Sequence, residues 1–140
     1  MIKLSKAIIK EASARNERWI AGDNIEIPEC YTKIDEYTLR WLSATKININ
    51  EVTTIGKHAC VGCYNLKEIY LPKAEEIESG FCYSCPKLRK ITVKDEPTAN
   101  LIKDMFDSYD KKRAIDINIY IGNGNEPFLI IQKDKCDQEN

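Results

Sequence analysis

The chain has 140 residues, 43% of them hydrophobic and 31% charged, with a formal net charge of -1. That is enough for one ordinary domain, and the balanced charge excludes a general pull toward nucleic acid or anionic membrane. No apolar run approaches the roughly 20 residues of a membrane helix or the roughly 7–15 of a signal-peptide core, so an unexported, cytoplasmic chain is expected.

Residues 4–21 read as a helix within an N-terminal cap over 1–22. Leu4, Ile8, Ile9, Ala12, Trp19 and Ile20 fall largely on one face, and Gly22 is a suitable stop. Residues 23–94 carry an internal period of 22. Ile25, Ile47, Ile69 and Ile91 are each 22 apart, as are Ile27, Ile49, Leu71 and Val93. They mark four short strands, IEI, INI, IYL and ITV. Ile55, Cys60, Cys63 and Leu66 fall likewise on Ile77, Cys82, Cys85 and Leu88. Residues 28–46 are less regular, and Ile34, Tyr37, Trp41 and Leu42 fit the period only with a shift of one or two.

Units this small cannot bury their own apolar face. Stacking them about 4.8 Å apart lets strands pair in parallel and joins the buried columns into one core. The open ends of such a stack need covering. The stretch DEPTANLIKDMFDSYDKK reads as a helix, with Pro97 in its first turn and a stripe of Leu101, Ile102, Met105, Phe106 and Tyr109. AIDINIYI, GNGNEP and PFLIIQK read as strand, turn and strand, which closes a C-terminal cap over 95–133. There Ile117 is expected to continue the Ile91 column. Residues 134–140 form a polar tail.

The stretch IGKHACVGCYNLKEIYLPKAEEIESGFCYSCPKLRKITV resembles the BspA-like, or treponemal, leucine-rich repeat, whose unit runs roughly I-G-x-x-A-F-x-x-C-x-x-L-x-x-I-x-L-P. Ile55 and Gly56 match its opening, and Cys63 and Cys85 its cysteine. Leu66, Ile69, Leu71 and Pro72 match its strand half, as do Leu88, Ile91 and Val93. The aromatic position departs from the pattern, with Cys60 and Cys82 there and Phe81 one place earlier. The match is clear over residues 55–93. The resemblance implies an α/β fold, a short right-handed leucine-rich-repeat-like solenoid with one parallel sheet. It also implies binding to other macromolecules without catalytic machinery or cofactor.

Cys60, Cys63, Cys82 and Cys85 also form two Cys-x-x-Cys pairs at a zinc-like separation. Four thiolates could close a structural zinc site. The repeat, however, explains the pairs without metal, because buried Cys packs as a small hydrophobe. A reducing compartment argues against disulfides. His58, the one histidine, is expected on the surface, and no Gly-x-Ser-x-Gly motif accompanies it. GNGNEP lacks the Lys-Ser/Thr of a phosphate loop.

The residues between the paired apolar positions of each strand point outward. On this concave sheet face the candidate binding residues are Glu26, Asn48, Glu68, Tyr70, Lys90, Thr92 and Asn118. Mixed charge around a central Tyr suits a protein interface and suits nucleic acid poorly. Tyr64 and Tyr83 are alternative anchors on the loop side. The expected function is a non-enzymatic protein-interaction module. The alternatives are a stoichiometric inhibitor of a host protein machine encoded by a phage or mobile element, and a zinc-stabilised module.

Overall fold

The period of 22 becomes geometry through two parallel ladders. The computed structural model describes residues 2–109 and 113–133; the expected polar tail, 134–140, lies outside the described residues. In chain order the elements are β1 (Ile2–Leu4), α1 (Lys6–Ala14), β2 (Asn24–Glu26), β3 (Tyr31–Ile34), β4 (Lys46–Asn48) and β5 (Thr54–Ile55). There follow β6 (Glu68–Tyr70), β7 (Glu76–Ile77), β8 (Lys90–Val93), α2 (Glu96–Tyr109), β9 (Ile117–Ile121) and β10 (Leu129–Ile131).

Strands β2, β4, β6, β8 and β9 pair in parallel, placing Ile25, Ile47, Ile69, Ile91 and Ile119 on one row. Antiparallel β10 completes a six-stranded sheet in the order β10-β9-β8-β6-β4-β2. The single sheet expected from the sequence is corrected here: β1, β3, β5 and β7 form a second, four-stranded parallel sheet. Its strands are as short as two residues and present one buried residue per coil, Ile34, Ile55 or Ile77. So short a run shows no alternation to read. Its step from Ile34 to Ile55 is 21 residues, which accounts for the irregular register of residues 28–46.

The isoleucine rows of both sheets belong to one core, together with Leu66, Leu71, Phe81, Leu88 and all four paired cysteines. The turns that follow the smaller sheet are hydrogen-bonded coil to coil as well. Leu39 N–H donates to Ala59 O at 2.7 Å, Trp41 to Val61 at 3.0 Å and Gly62 to Tyr83 at 3.0 Å. Each turn needs two left-handed residues. One column is Tyr37 (φ 58°), His58 (φ 54°) and Gly80 (φ 73°); the other is Trp41 (φ 60°), Gly62 (φ 72°) and Ser84 (φ 58°). Tyr37 leans onto His58, His58 onto Gly80 and Trp41 onto Gly62, each in the next coil. A Cβ on Gly80 would lie 2.2 Å from His58 Nδ1, and one on Gly62 would lie 2.5 Å from Trp41 Cδ1. Both glycines therefore supply the backbone conformation and the space.

Helix α1 is shorter than the expected 4–21. Leu4 belongs instead to β1, opposite Ile34. Asn16, left-handed at φ 54°, ends the helix. Its N–H reaches Ser13 O at 3.1 Å and the Glu17 N–H reaches Ala12 O at 3.0 Å, a Schellman closure with Asn in the usual Gly place. The chain then runs along the edge of β2, where Glu26 N–H donates to Trp19 O at 3.1 Å.

Helix α2 begins with Asp95 bonding the Thr98 N–H at 3.0 Å and the Thr98 hydroxyl at 2.6 Å. Ile102, Met105 and Phe106 are buried as expected, but Leu101 is 40% exposed and leaves the stripe. The Tyr109 side chain lies outside the described residues. Among the described residues no helix is long and apolar enough to cross a membrane.

Candidate functional site

The outward rows of the six-stranded sheet follow from its register. One row is Asn24, Lys46, Glu68, Lys90 and Asn118; the other is Glu26, Asn48, Tyr70, Thr92 and Tyr120. Two sequence expectations change. Ile119, not Ile117, continues the Ile91 column, so Asn118 sits beside Lys90 and Tyr120 takes the place beside Thr92. Thr92 itself is only 7% exposed, so it can offer little contact area.

Tyr70, Glu68, Lys90 and Thr92 line one cleft of about 310 Å³ together with Lys46 and the Gly122-Asn123-Gly124 turn. The turn is anchored by the Gly122 N–H, which donates to Val93 O at 2.9 Å. Lys90 Nζ lies 4.8 Å from the Tyr120 ring centroid, a cation–π contact that sets Tyr120 beside the cleft without making it part of the lining. Lys46 and Glu68 are 3.9 Å apart, a loose, solvent-screened pair.

The other sequence candidates lie apart from the cleft. Glu26 accepts from the Asn48 and Asn50 side-chain amides, and it borders a separate hollow beside Trp19. Asn118 does not line the cleft. Sequence reading missed Tyr120 and the Gly122-Asn123-Gly124 turn. The signal was present in INIYI, but its three alternating isoleucines fit two registers equally well.

The loop-side residues separate in the same way. Tyr64 is 63% exposed and free to meet a partner. Tyr83 is committed to the fold: its hydroxyl donates to Met105 O at 2.7 Å and its ring meets Phe106 edge-on at 5.6 Å. His58 is not the expected surface residue. It lies between Tyr37, at 5.2 Å, and Tyr83, at 6.4 Å. Its Nδ1 is buried, with no hydrogen-bond partner among the described residues.

The cysteines occupy two core columns, Leu39–Cys60–Cys82 and Leu42–Cys63–Cys85, and all four sulfurs are buried. Cys63 Sγ donates to Leu39 O at 3.1 Å, and Cys85 Sγ donates to Cys60 O at 3.3 Å. A thiol in this column thus serves a buried carbonyl of the preceding coil. Burial pushes the Cys60 thiol well up, and neighbouring Cys63 adds to it. For Cys85, its bond to Cys63, and then burial, hold the thiol protonated. Among the described residues no three His, Cys, Asp or Glu side chains converge into a set that could hold a metal ion.

A family model for the BspA type leucine-rich repeat region matches residues 18–112 in six copies, reaching well beyond the 55–93 stretch on both sides. Repeats of this type commonly mediate protein–protein interaction and are typically non-enzymatic. Among curated proteins and solved structures, none matches the chain.

Proposed function

The chain belongs to the BspA-type leucine-rich repeat family, and from that premise we propose that it is a non-enzymatic module that holds a protein partner on the outer face of its six-stranded sheet. The repeats act as a rigid solenoid scaffold, with α1 and its following segment at one end and α2 with the β9–β10 pair at the other. The observation that carries this reading is the cleft. There the half-buried Tyr70, the Lys90 side chain and a glycine turn converge on one part of an otherwise polar face, with Tyr120 stacked against Lys90 beside it. Tyrosine is a frequent energetic anchor of protein interfaces, since it offers a large rigid surface and a polar tip. The remaining rows, with charges of both signs, suit the polar rim of such a contact.

Immobilised wild-type chain and the variants Tyr70→Ala and Tyr120→Ala, each with a matched urea midpoint, serve as baits in a lysate of the native host. Quantitative mass spectrometry is expected to show a protein retained by the wild type and lost from both variants. Equal retention by all three folded baits contradicts the sheet-face assignment. An unstable Tyr70→Ala chain contradicts it too, by making Tyr70 part of the scaffold.

A further inference from the structure

We infer that the turn edge of the stack is a second interaction surface, one that docks an acidic segment of a protein partner through Trp41, Tyr64 and a column of unpaired cations. This rests on the reading of the chain as a protein-binding module; its groove adjoins the sheet-face cleft, sharing Lys46 and Glu68 with it, but its anchors lie outside that cleft.

The charge pattern comes first. Residues 37–45, 58–67 and 80–89 contain no Asp or Glu, although the whole chain is slightly acidic. Their cations include Arg40, Lys67 and Arg89. The three stretches occupy the same part of three successive coils, running through the turn toward the next strand of the larger sheet. The acids collect on the opposite corner, at Glu51, Glu75, Glu76 and Glu78. The backbone stacks the cations: Lys67 N–H donates to Thr45 O at 2.8 Å and Arg89 N–H to Lys67 O at 3.0 Å. Lys67 and Arg89 therefore stand on adjacent rungs, about 4.8 Å apart along the stack. Both border an open groove of about 230 Å³ in which Glu68 is the sole carboxylate. Among the described residues neither they nor Arg40 form an ion pair, whereas Lys73 and Lys94 on the opposite corner are paired.

Trp41 supplies the second, independent observation. It is 66% exposed, more than any other large hydrophobic among the described residues. It holds a left-handed backbone at φ 60°, an uncommon and strained conformation for so bulky a residue. The same position in the next two coils is Gly62 and Ser84, so the fold does not require an indole there. Arg40 stacks its guanidinium 4.5 Å from the ring centroid. A strained, exposed Trp with a stacked Arg, and the exposed Tyr64 one coil on, has the composition of an interface anchor. The cations lacking carboxylates set the chemistry of what it meets: carboxylates of a partner chain. Nucleic acid is the weaker fit, because the groove contains Glu68 and the aromatics do not form a continuous stacking track.

The probe is a short synthetic peptide of Glu and Asp with one central Phe, followed by fluorescence anisotropy; a single-stranded oligothymidylate of equal charge is the comparison. Wild type is expected to bind the peptide more tightly than the oligonucleotide, and more weakly as salt rises. Trp41→Gly, which places in this coil the residue the next coil already has, is expected to fold and to bind about thirtyfold more weakly. Arg89→Glu is expected to weaken binding and flatten its salt dependence. Lys73→Glu, an equal charge change on the opposite corner, is expected to leave affinity unchanged. The inference is overturned if wild type ignores the peptide, if Trp41→Gly and Arg89→Glu bind as wild type does, if Lys73→Glu weakens binding equally, or if the oligonucleotide binds more tightly. Such a failure leaves the sheet-face reading standing wherever Tyr70→Ala still loses the native partner.

Discussion

Gly80→Ala tests the turn architecture most sharply, because it combines two separable costs. Gly80 sits at φ 73°, a conformation that costs an L-residue about 1–2 kcal/mol. The added Cβ would also lie 2.2 Å from His58 Nδ1 and 2.4 Å from its Cε1. The imidazole cannot swing aside freely, since Tyr37 flanks it at 5.2 Å and Tyr83 at 6.4 Å. Forcing such a group off its packed position costs about 1–3 kcal/mol. The expected total is about 2–5 kcal/mol, read as a lowered urea midpoint at unchanged slope. In a His58→Ala background the steric part vanishes and the backbone part remains. The double-mutant cycle should then give a coupling of about 1–3 kcal/mol between the two sites, equal to the steric part. A Gly80→Ala cost below about 0.5 kcal/mol, or an equal cost in both backgrounds, refutes the reasoning.

Two further outcomes are expected. Ile69→Ala removes a fully buried rung in the middle of the larger sheet and should cost about 2–5 kcal/mol in urea unfolding, with a loss below about 1 kcal/mol excluding that register. Cys60 and Cys85 have thiols raised above their unfolded values, so their contribution is fully present below the unfolded cysteine pKa of about 8.5 and is lost as pH rises from there toward the folded values. Unfolding free energy should therefore fall above about pH 8.5, by up to about 1.4 kcal/mol per pH unit for each thiol that stays protonated. The fall should be shallower in Cys60→Ala, and equal slopes in the two proteins would contradict the assignment.

The larger sheet was legible because its period repeats the same side chains: with Ile25, Ile47, Ile69 and Ile91 in one column, a slip of one residue would turn that column to solvent. The smaller sheet was not, since two-residue strands such as Thr54–Ile55 offer one apolar position and no pattern. The α1 stop was hidden because Asn16 does what Gly22 was expected to do. On the candidate site, alternation alone placed Tyr70, Glu68 and Lys90 on the outward face. It could not place Tyr120, because a two-residue slip along INIYI keeps every isoleucine inside and changes only which polar residue lies beside Thr92. Nor could it show that Thr92 is covered, a consequence of tertiary packing. The cysteine pairs, which alone look like metal ligands, acquire a different role once Cys63 and Cys85 are seen to donate to carbonyls of the preceding coil.

The central claim is that a protein partner sits on the outer sheet face at the Tyr70–Lys90 cleft and covers the neighbouring Tyr120. Hydroxyl-radical footprinting of the chain with and without its captured partner tests it most directly, since tyrosine oxidation reports side-chain exposure one residue at a time. The account predicts that oxidation of Tyr70 and Tyr120 falls severalfold in the complex while Tyr31, on the other sheet, is unchanged. Unchanged oxidation of Tyr70 and Tyr120 in a saturated complex would contradict it.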